Sequence, residues 1–221
     1  MFLELNDFLG AEDVARLRDI AARVRFVDGH VSNPYNQTKH NMQAQESDPL
    51  HAEASRIVSD AFLRSDDFQD FAFPHSIIPP LLARYDVGMS YGIHADASHI
   101  RYGKDLLRTD LAATVWLSPP DAYDGGELVV HFGTRPVSIK GAPGSVVIYP
   151  ATQLHEVRPV TRGQRLVAIT FIESRIPDEF QRNQLFELSR IAHVEGPKMS
   201  WDHRVRLDVV RNNILRMWAR S

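Results

Sequence analysis

The sequence predicts a mainly β fold with flanking helices, and three features carry that reading. Between about Ile77 and Ile172 the chain breaks into short β-rich runs. Clusters of Gly, Pro and Asp separate those runs, and amphipathic helical patterns bound the region on both sides. Many short strands with turn signals between them describe a sandwich or barrel. The βαβ alternation of a Rossmann sheet is missing.

The elements follow in order. In Ala11–Phe26, Val14, Leu17, Ala21 and Val24 recur at helical spacing. Glu12 and Asp13 stand in the first turn, where the helix dipole favours acids, and Gly10 is the expected N-cap. A second helix is expected at Pro49–Leu63, with a stripe of Ala54, Ile57, Val58, Ala61 and Phe62. The strand runs are Leu81–Tyr85, Leu111–Leu117, Glu127–His131, Val137–Ile139, Ser145–Tyr149 and Leu166–Ile172. Turns fall at Pro119–Asp121, Asp124–Gly126 and Gly141–Gly144. Helices return at Asp178–His193 (Phe180, Leu185, Leu188, Ile191) and Trp201–Arg220 (Leu207, Val210, Ile214, Leu215, Trp218), with Gly196–Pro197 between them. These two helices are expected to pack on the barrel or on each other; a dimer face, hence a homo-oligomer, or a lid is the other reading. Three regions result: a 1–76 support region, a 77–175 core and a 176–221 helical extension.

Composition narrows the chemistry. With 221 residues, 43% of them hydrophobic, the chain suits one sizeable domain. A net charge of -3 gives no basic face for nucleic acid. Cysteine is absent, so thiolate metal sites, disulfides and cysteine nucleophiles are excluded. Any metal must rest on His, Asp and Glu, a nitrogen and oxygen set suited to divalent iron, zinc or manganese. Met1–Gly10 lacks a basic n-region, and no apolar run approaches the roughly 20 residues of a membrane span, so a cytoplasmic enzyme is expected.

The segment Tyr91–Asp96 carries the chemical signal. On a strand, residues two apart project to one face, so His94 and Asp96 can offer an imidazole nitrogen and a carboxylate oxygen to one ion. His155, following an apolar run, is the best third donor. Together they would form a 2-His-1-carboxylate triad that leaves coordination positions open on one side. His-x-Asp is weak alone and also describes a solvated surface strand. Arg165, ten positions after His155, opens a run that is otherwise apolar. A buried guanidinium needs a partner. The far carboxylate of 2-oxoglutarate fits it, and a structural acid fits equally.

Beyond those residues the chain resembles a known family. The matching segments are Arg84–Asp96, Arg108–Leu111, Trp116–Pro119, Tyr123–Leu128, Tyr149–Val157 and Asn213–Ala219. On these it resembles the PKHD-type hydroxylases, Fe(II)- and 2-oxoglutarate-dependent dioxygenases similar to prolyl 4-hydroxylase catalytic domains. The resemblance implies a double-stranded β-helix, or jelly roll. It implies His94, Asp96 and His155 as catalytic iron ligands, and Arg165 with Tyr85 as the 2-oxoglutarate site. It further implies O2 as cosubstrate, ascorbate binding with stimulation, and release of succinate and CO2. The expected substrate is an amino acid, peptide or peptide-like small molecule. One departure is His40, within Thr38–Gln43, where the family pattern leads us to expect asparagine; if that stretch lines the substrate mouth, substrate choice differs.

The remaining candidates have plainer readings. His131 is a fourth-ligand candidate, but a hydrogen-bonded histidine near the barrel mouth is the better description. His30, His40, His51, His75, His193 and His203 are expected at the surface or at helix ends, and His99 falls in the β-rich zone. Glu127 is expected to enter a strand from a turn. The loop Ser98–Leu107, with Arg101, Lys104 and the following Arg108, is expected to be a solvated basic loop; bordering the substrate channel is the other reading. Two rival functions fit the triad: a cupin-like oxidase or isomerase that does not use 2-oxoglutarate, and a non-catalytic jelly-roll binding module.

Overall fold

Two antiparallel sheets face each other, and helices cover the outer face of the larger one. The structure is a computed structural model and describes residues 1–220. The first strands are β1 (Leu3–Leu5), β2 (Phe26–Asp28), β3 (Lys39–His40), β4 (Met42–Ala44), β5 (Pro74–Ile77) and β6 (Leu81–Tyr85). Next come β7 (Ser90–His94), β8 (His99–Tyr102), β9 (Asp105–Arg108), β10 (Leu111–Trp116), β11 (Tyr123–Gly125) and β12 (Leu128–Phe132). The last are β13 (Arg135–Ile139), β14 (Val146–Pro150), β15 (His155–Val157), β16 (Val160–Gly163) and β17 (Arg165–Ser174). The helices are α1 (Ala11–Arg23), α2 (Pro49–Arg64), α3 (Asp66–Ala72), α4 (Glu179–Glu195) and α5 (Trp201–Trp218).

The eight-stranded sheet runs β1-β14-β10-β17-β6-β4-β2, with β5 also paired to β17. The five-stranded sheet runs β13-β12-β15-β7-β3. The pairs β11-β16 and β8-β9 stand apart from both. This is the jelly-roll core with flanking helices that the sequence predicts. Strands from the first 44 residues complete both sheets.

Period-two alternation explains why the central strands are apolar throughout. Leu111, Ala113 and Val115 of β10 join a core with Leu17 and Ile20 of α1, Val58 and Phe62 of α2, and Phe68 of α3. Ala112 and Trp116 face the other way, into a second core with Leu128, Val130 and Val157 of the smaller sheet. A strand buried on both faces has no polar side to show. Each fully buried Leu- or Phe-sized side chain contributes about 1.5–3 kcal/mol.

Several elements depart from expectation. The first helix stops at Arg23 because Val24 turns extended and Phe26–Asp28 pairs with Met42–Ala44. Helix α3 was not foreseen, since seven residues are too few for a periodic stripe; Ser65 caps it by accepting from Phe68 N. Residues 98–107 form the β8–β9 hairpin rather than a loop. Along α4 the buried positions are Arg182, Leu185, Phe186, Ser189 and Ala192, while Phe180 and Ile191 are exposed. Arg182 takes a core position because its guanidinium donates to the carbonyl of Ile176 at 2.9 Å. Helix α5 packs along α4, but none of its residues is buried.

Candidate metal centre

The smaller sheet brings the three proposed donors together. His94 ends β7 and His155 begins β15, and the two are direct cross-strand partners. Paired residues of an antiparallel ladder project to one face, here the inner one. Strand β7 stops at His94, so Asp96 sits beyond the strand end rather than two places along it. The chain turns the carboxylate back all the same. One ligand atom from each of His94, Asp96 and His155 lies within 4.8 Å of the other two. His155 Nε2 is 3.6 Å from Asp96 Oδ1.

Backbone carbonyls fix both imidazoles. His94 Nδ1 donates to Gly92 O at 2.8 Å, and His155 Nδ1 donates to Gln153 O at 3.0 Å. A carbonyl only accepts, so Nδ1 carries a proton, and in the neutral ring Nε2 keeps its lone pair. Tyr91 stacks on His94 with ring centroids 3.6 Å apart and planes 17° from parallel. Burial, followed by the charge of His155, pulls His94 down to about 4, so its ring is neutral at ordinary pH. Burial pushes the Asp96 carboxyl up to about 6, against the pull of His155 and Lys39. Asp96 Oδ2 is buried with no hydrogen-bond partner among the described residues. Two imidazole nitrogens and an underused buried carboxylate fit a divalent first-row metal such as iron.

Arg165 opens β17 and is 1% exposed. It stands opposite Tyr85 of β6, and its Cζ lies 4.9 Å from the Tyr85 ring centroid. Among the described residues it has no acidic partner within 4 Å, and its Nε is unpaired. Gly126, at φ +66°, makes room for it: a Cβ there would lie 3.2 Å from Arg165 Cδ. A cavity of about 960 Å³ connects these parts, with the three donors, Tyr85, Arg165 and Tyr149 in its wall. Apolar Leu128, Val157 and Ile169 are also in its wall.

Other candidates fall elsewhere. Nε2 of His131 is buried without a hydrogen bond, contrary to expectation, and His131 does not line the cavity. His51 lies at a helix end, in the first turn of α2, but it is buried and does line the cavity rather than facing solvent. His40 is exposed, edge-on to His30, and outside the cavity wall; its neighbours Lys39 and Asn41 line the wall instead. Hairpin β8–β9 borders the cavity through Ile100, Arg101 and Tyr102, while Arg108 pairs with Asp110 at 2.8 Å. Sequence reasoning missed Lys39, Tyr91 and Tyr149. The signal for Lys39 was available: Lys39, Asn41 and Gln43 alternate, and all three are buried.

Comparison with known proteins agrees with this geometry. Residues 80–173 match the model of the 2OG-Fe(II) oxygenase superfamily. A PKHD-type hydroxylase of Sphingopyxis alaskensis is 48% identical, over 98% of this chain and 99% of that protein. A Trichoplax adhaerens prolyl hydroxylase, solved with a hypoxia inducible factor oxygen degradation domain peptide fragment, shares the fold at a TM-score of 0.58. Its identity is 15%, covering 80% of this chain and 84% of that one. HygX from Streptomyces hygroscopicus, with nickel and 2-oxoglutarate bound, aligns at a TM-score of 0.54 and 16% identity, over 78% and 82% of the two chains.

Proposed function

The chain belongs to the PKHD-type hydroxylases of the 2OG-Fe(II) oxygenase superfamily, and on that premise we propose that it hydroxylates an amino acid, peptide or peptide-like small molecule. It is a dioxygenase that depends on Fe(II) and 2-oxoglutarate. In this proposal His94, Asp96 and His155 hold the iron, Arg165 anchors the far carboxylate of 2-oxoglutarate, and Tyr85 packs beside it. The observation that carries the assignment is a single cavity with a tight cluster of three donors in one part of its wall and a buried, acid-free guanidinium in another.

When bound, iron with 2-oxoglutarate and O2 supplies the oxidation, yielding succinate, CO2 and a hydroxylated product. The chain's residues do the positioning. The two Nε2 lone pairs are held in place by the Nδ1 bonds to Gly92 O and Gln153 O. The guanidinium of Arg165 presents a planar fork that fits a carboxylate bidentately. Buried Tyr85 keeps that fork dry. Apolar Leu128, Val157 and Ile169 line the same cavity, and water excluded by them would strengthen every charge interaction there.

The peptide-like substrate rests on the relatives: the Trichoplax protein binds a peptide fragment, by its description. Cytoplasmic action and stimulation by ascorbate are part of the same proposal. No described helix is long and apolar enough to cross a membrane. The test is anaerobic reconstitution with Fe(II), followed by oxygenation against pools of amino acids and peptides, with and without ascorbate. The expected result is pool-dependent conversion of 2-oxoglutarate to succinate. Iron-loaded protein that leaves 2-oxoglutarate intact in every pool would sink the proposal.

A further inference from the structure

A second buried cation faces the same cavity. Lys39 on β3 is 6% exposed and lies in the cavity wall. Its Nζ donates to Ser32 Oγ at 2.5 Å, and Ser32 Oγ in turn donates to Gln43 Oε1 at 2.9 Å. The ammonium also sits 5.4 Å from the centroid of the Tyr91 ring, which stacks on His94. Lys39 is therefore one aromatic ring away from the proposed metal centre. Among the described residues no carboxylate lies within 4 Å of it; Asp28 and Asp96 act on it only from farther away. Burial draws the ammonium down to about 8, so at neutral pH it remains mostly cationic.

Charge balance singles this group out. With iron and 2-oxoglutarate in place, the metal dication and Arg165 are matched by Asp96 and the two carboxylates of the cosubstrate. Lys39 has no counterpart in that set. Besides Arg165 and Asp96, the cavity wall carries Arg56 and Arg101 against Glu46. A buried ammonium with donors to spare favours an anion over water.

We infer that Lys39 anchors a carboxylate of the substrate, so that the substrate is an acid: a free amino acid or a peptide that presents a free carboxylate. This rests on the dioxygenase reading above and narrows its substrate class. A neutral internal peptide segment would leave Lys39 unmatched.

The test uses full-length protein loaded with Zn(II), which cannot carry the redox step, and 2-oxoglutarate. Binding of those two is measured first, and its failure would count against the site assignment rather than against Lys39. The protein, labelled with 15N at lysine, is then titrated with N-acetyl amino acids and their primary amides. N-acetyl aspartate and glutamate α-amides are included, to separate side-chain from main-chain carboxylates. The Lys39 ammonium signal is assigned from Lys39→Met. At least one acid is expected to shift that signal and bind about tenfold or more tightly than its amide, the range of a charged hydrogen bond. Lys39→Met should abolish the preference, Lys39→Arg should keep it, and both should still take up 2-oxoglutarate. Equal binding of acids and amides, binding of no member, or a Lys39→Met loss shared equally by acid and amide each overturns the inference.

Discussion

His94 and His155 face each other across the β7–β15 pair, and each ring is held by the same device: Nδ1 donates to the carbonyl two residues earlier in the chain. The device needs only backbone, and it fixes both tautomers. One ligand atom from each ring and one from Asp96 all lie within 4.8 Å of one another. The predictions below follow from that arrangement and from the two cations in the same cavity.

Replacing His94, Asp96 or His155 by Ala should abolish succinate formation and lower Fe(II) affinity by more than the roughly 10- to 100-fold typical of losing an outer hydrogen-bond partner. Anaerobic Fe(II) titration of each purified variant checks this. A variant with unchanged affinity removes that residue from the ligand set.

Arg165→Met should separate stability from cosubstrate binding. A buried guanidinium without an acid is costly, and an apolar side chain of similar length relieves that cost. Ligand-free Arg165→Met should therefore melt higher than the wild type, while the 2-oxoglutarate KM rises about tenfold or more and Fe(II) still binds. A lower Tm together with an unchanged KM would contradict both roles.

Metal binding should weaken in acid. The Asp96 carboxyl is raised to about 6 by burial, so protons compete with metal below that pH. Affinity should fall by about tenfold per pH unit once Asp96 is protonated. His94, held near 4, adds its own competition only lower down. In the metal-free chain the sign is opposite for folding: the buried Asp96 carboxylate costs stability that is fully felt above about 6 and absent below its ordinary 3.8. Zn(II)-induced shifts in Tm, recorded from pH 5 to 8, report the first effect directly; a shift that stays constant between pH 5 and 7 would rule out competition at Asp96.

Gly126→Ala should damage the Arg165 seat. Gly126 has φ +66°, and an added Cβ would lie 3.0 Å from Val160 Cγ2, 3.1 Å from Tyr123 Cε2 and 3.2 Å from Arg165 Cδ. Left-handed strain alone costs about 1–2 kcal/mol, and crowding adds to it. The expected outcome is a lower Tm with weaker 2-oxoglutarate binding. Wild-type values for both would show that the loop shifts freely.

Much of the fold was legible because local periodicity leaves a direct trace. The apolar runs at Leu111–Leu117 and Ser145–Tyr149 marked strands, and the strands found there, Leu111–Trp116 and Val146–Pro150, prove to be buried on both faces. Helix α2 announced itself through the stripe of Ala54, Ile57, Val58, Ala61 and Phe62; the cap at Asp48 is seen only in the structure. The boundaries that slipped, as at Arg23, lie where a strand partner elsewhere in the chain decides the outcome.

By itself the sequence limited which residues had the chemistry for a metal centre: with cysteine absent, only His, Asp and Glu remained, the two-residue spacing paired His94 with Asp96, and the family resemblance implied His155 as their third partner. Tertiary structure decided what spacing cannot encode. Cross-strand register set His94 against His155, and the β3–β7 pairing turned Lys39 inward although its polar neighbours resemble a surface strand. The physical reason is that alternation tells which residues share a face. Only packing of one sheet against another tells whether that face meets water or a cavity.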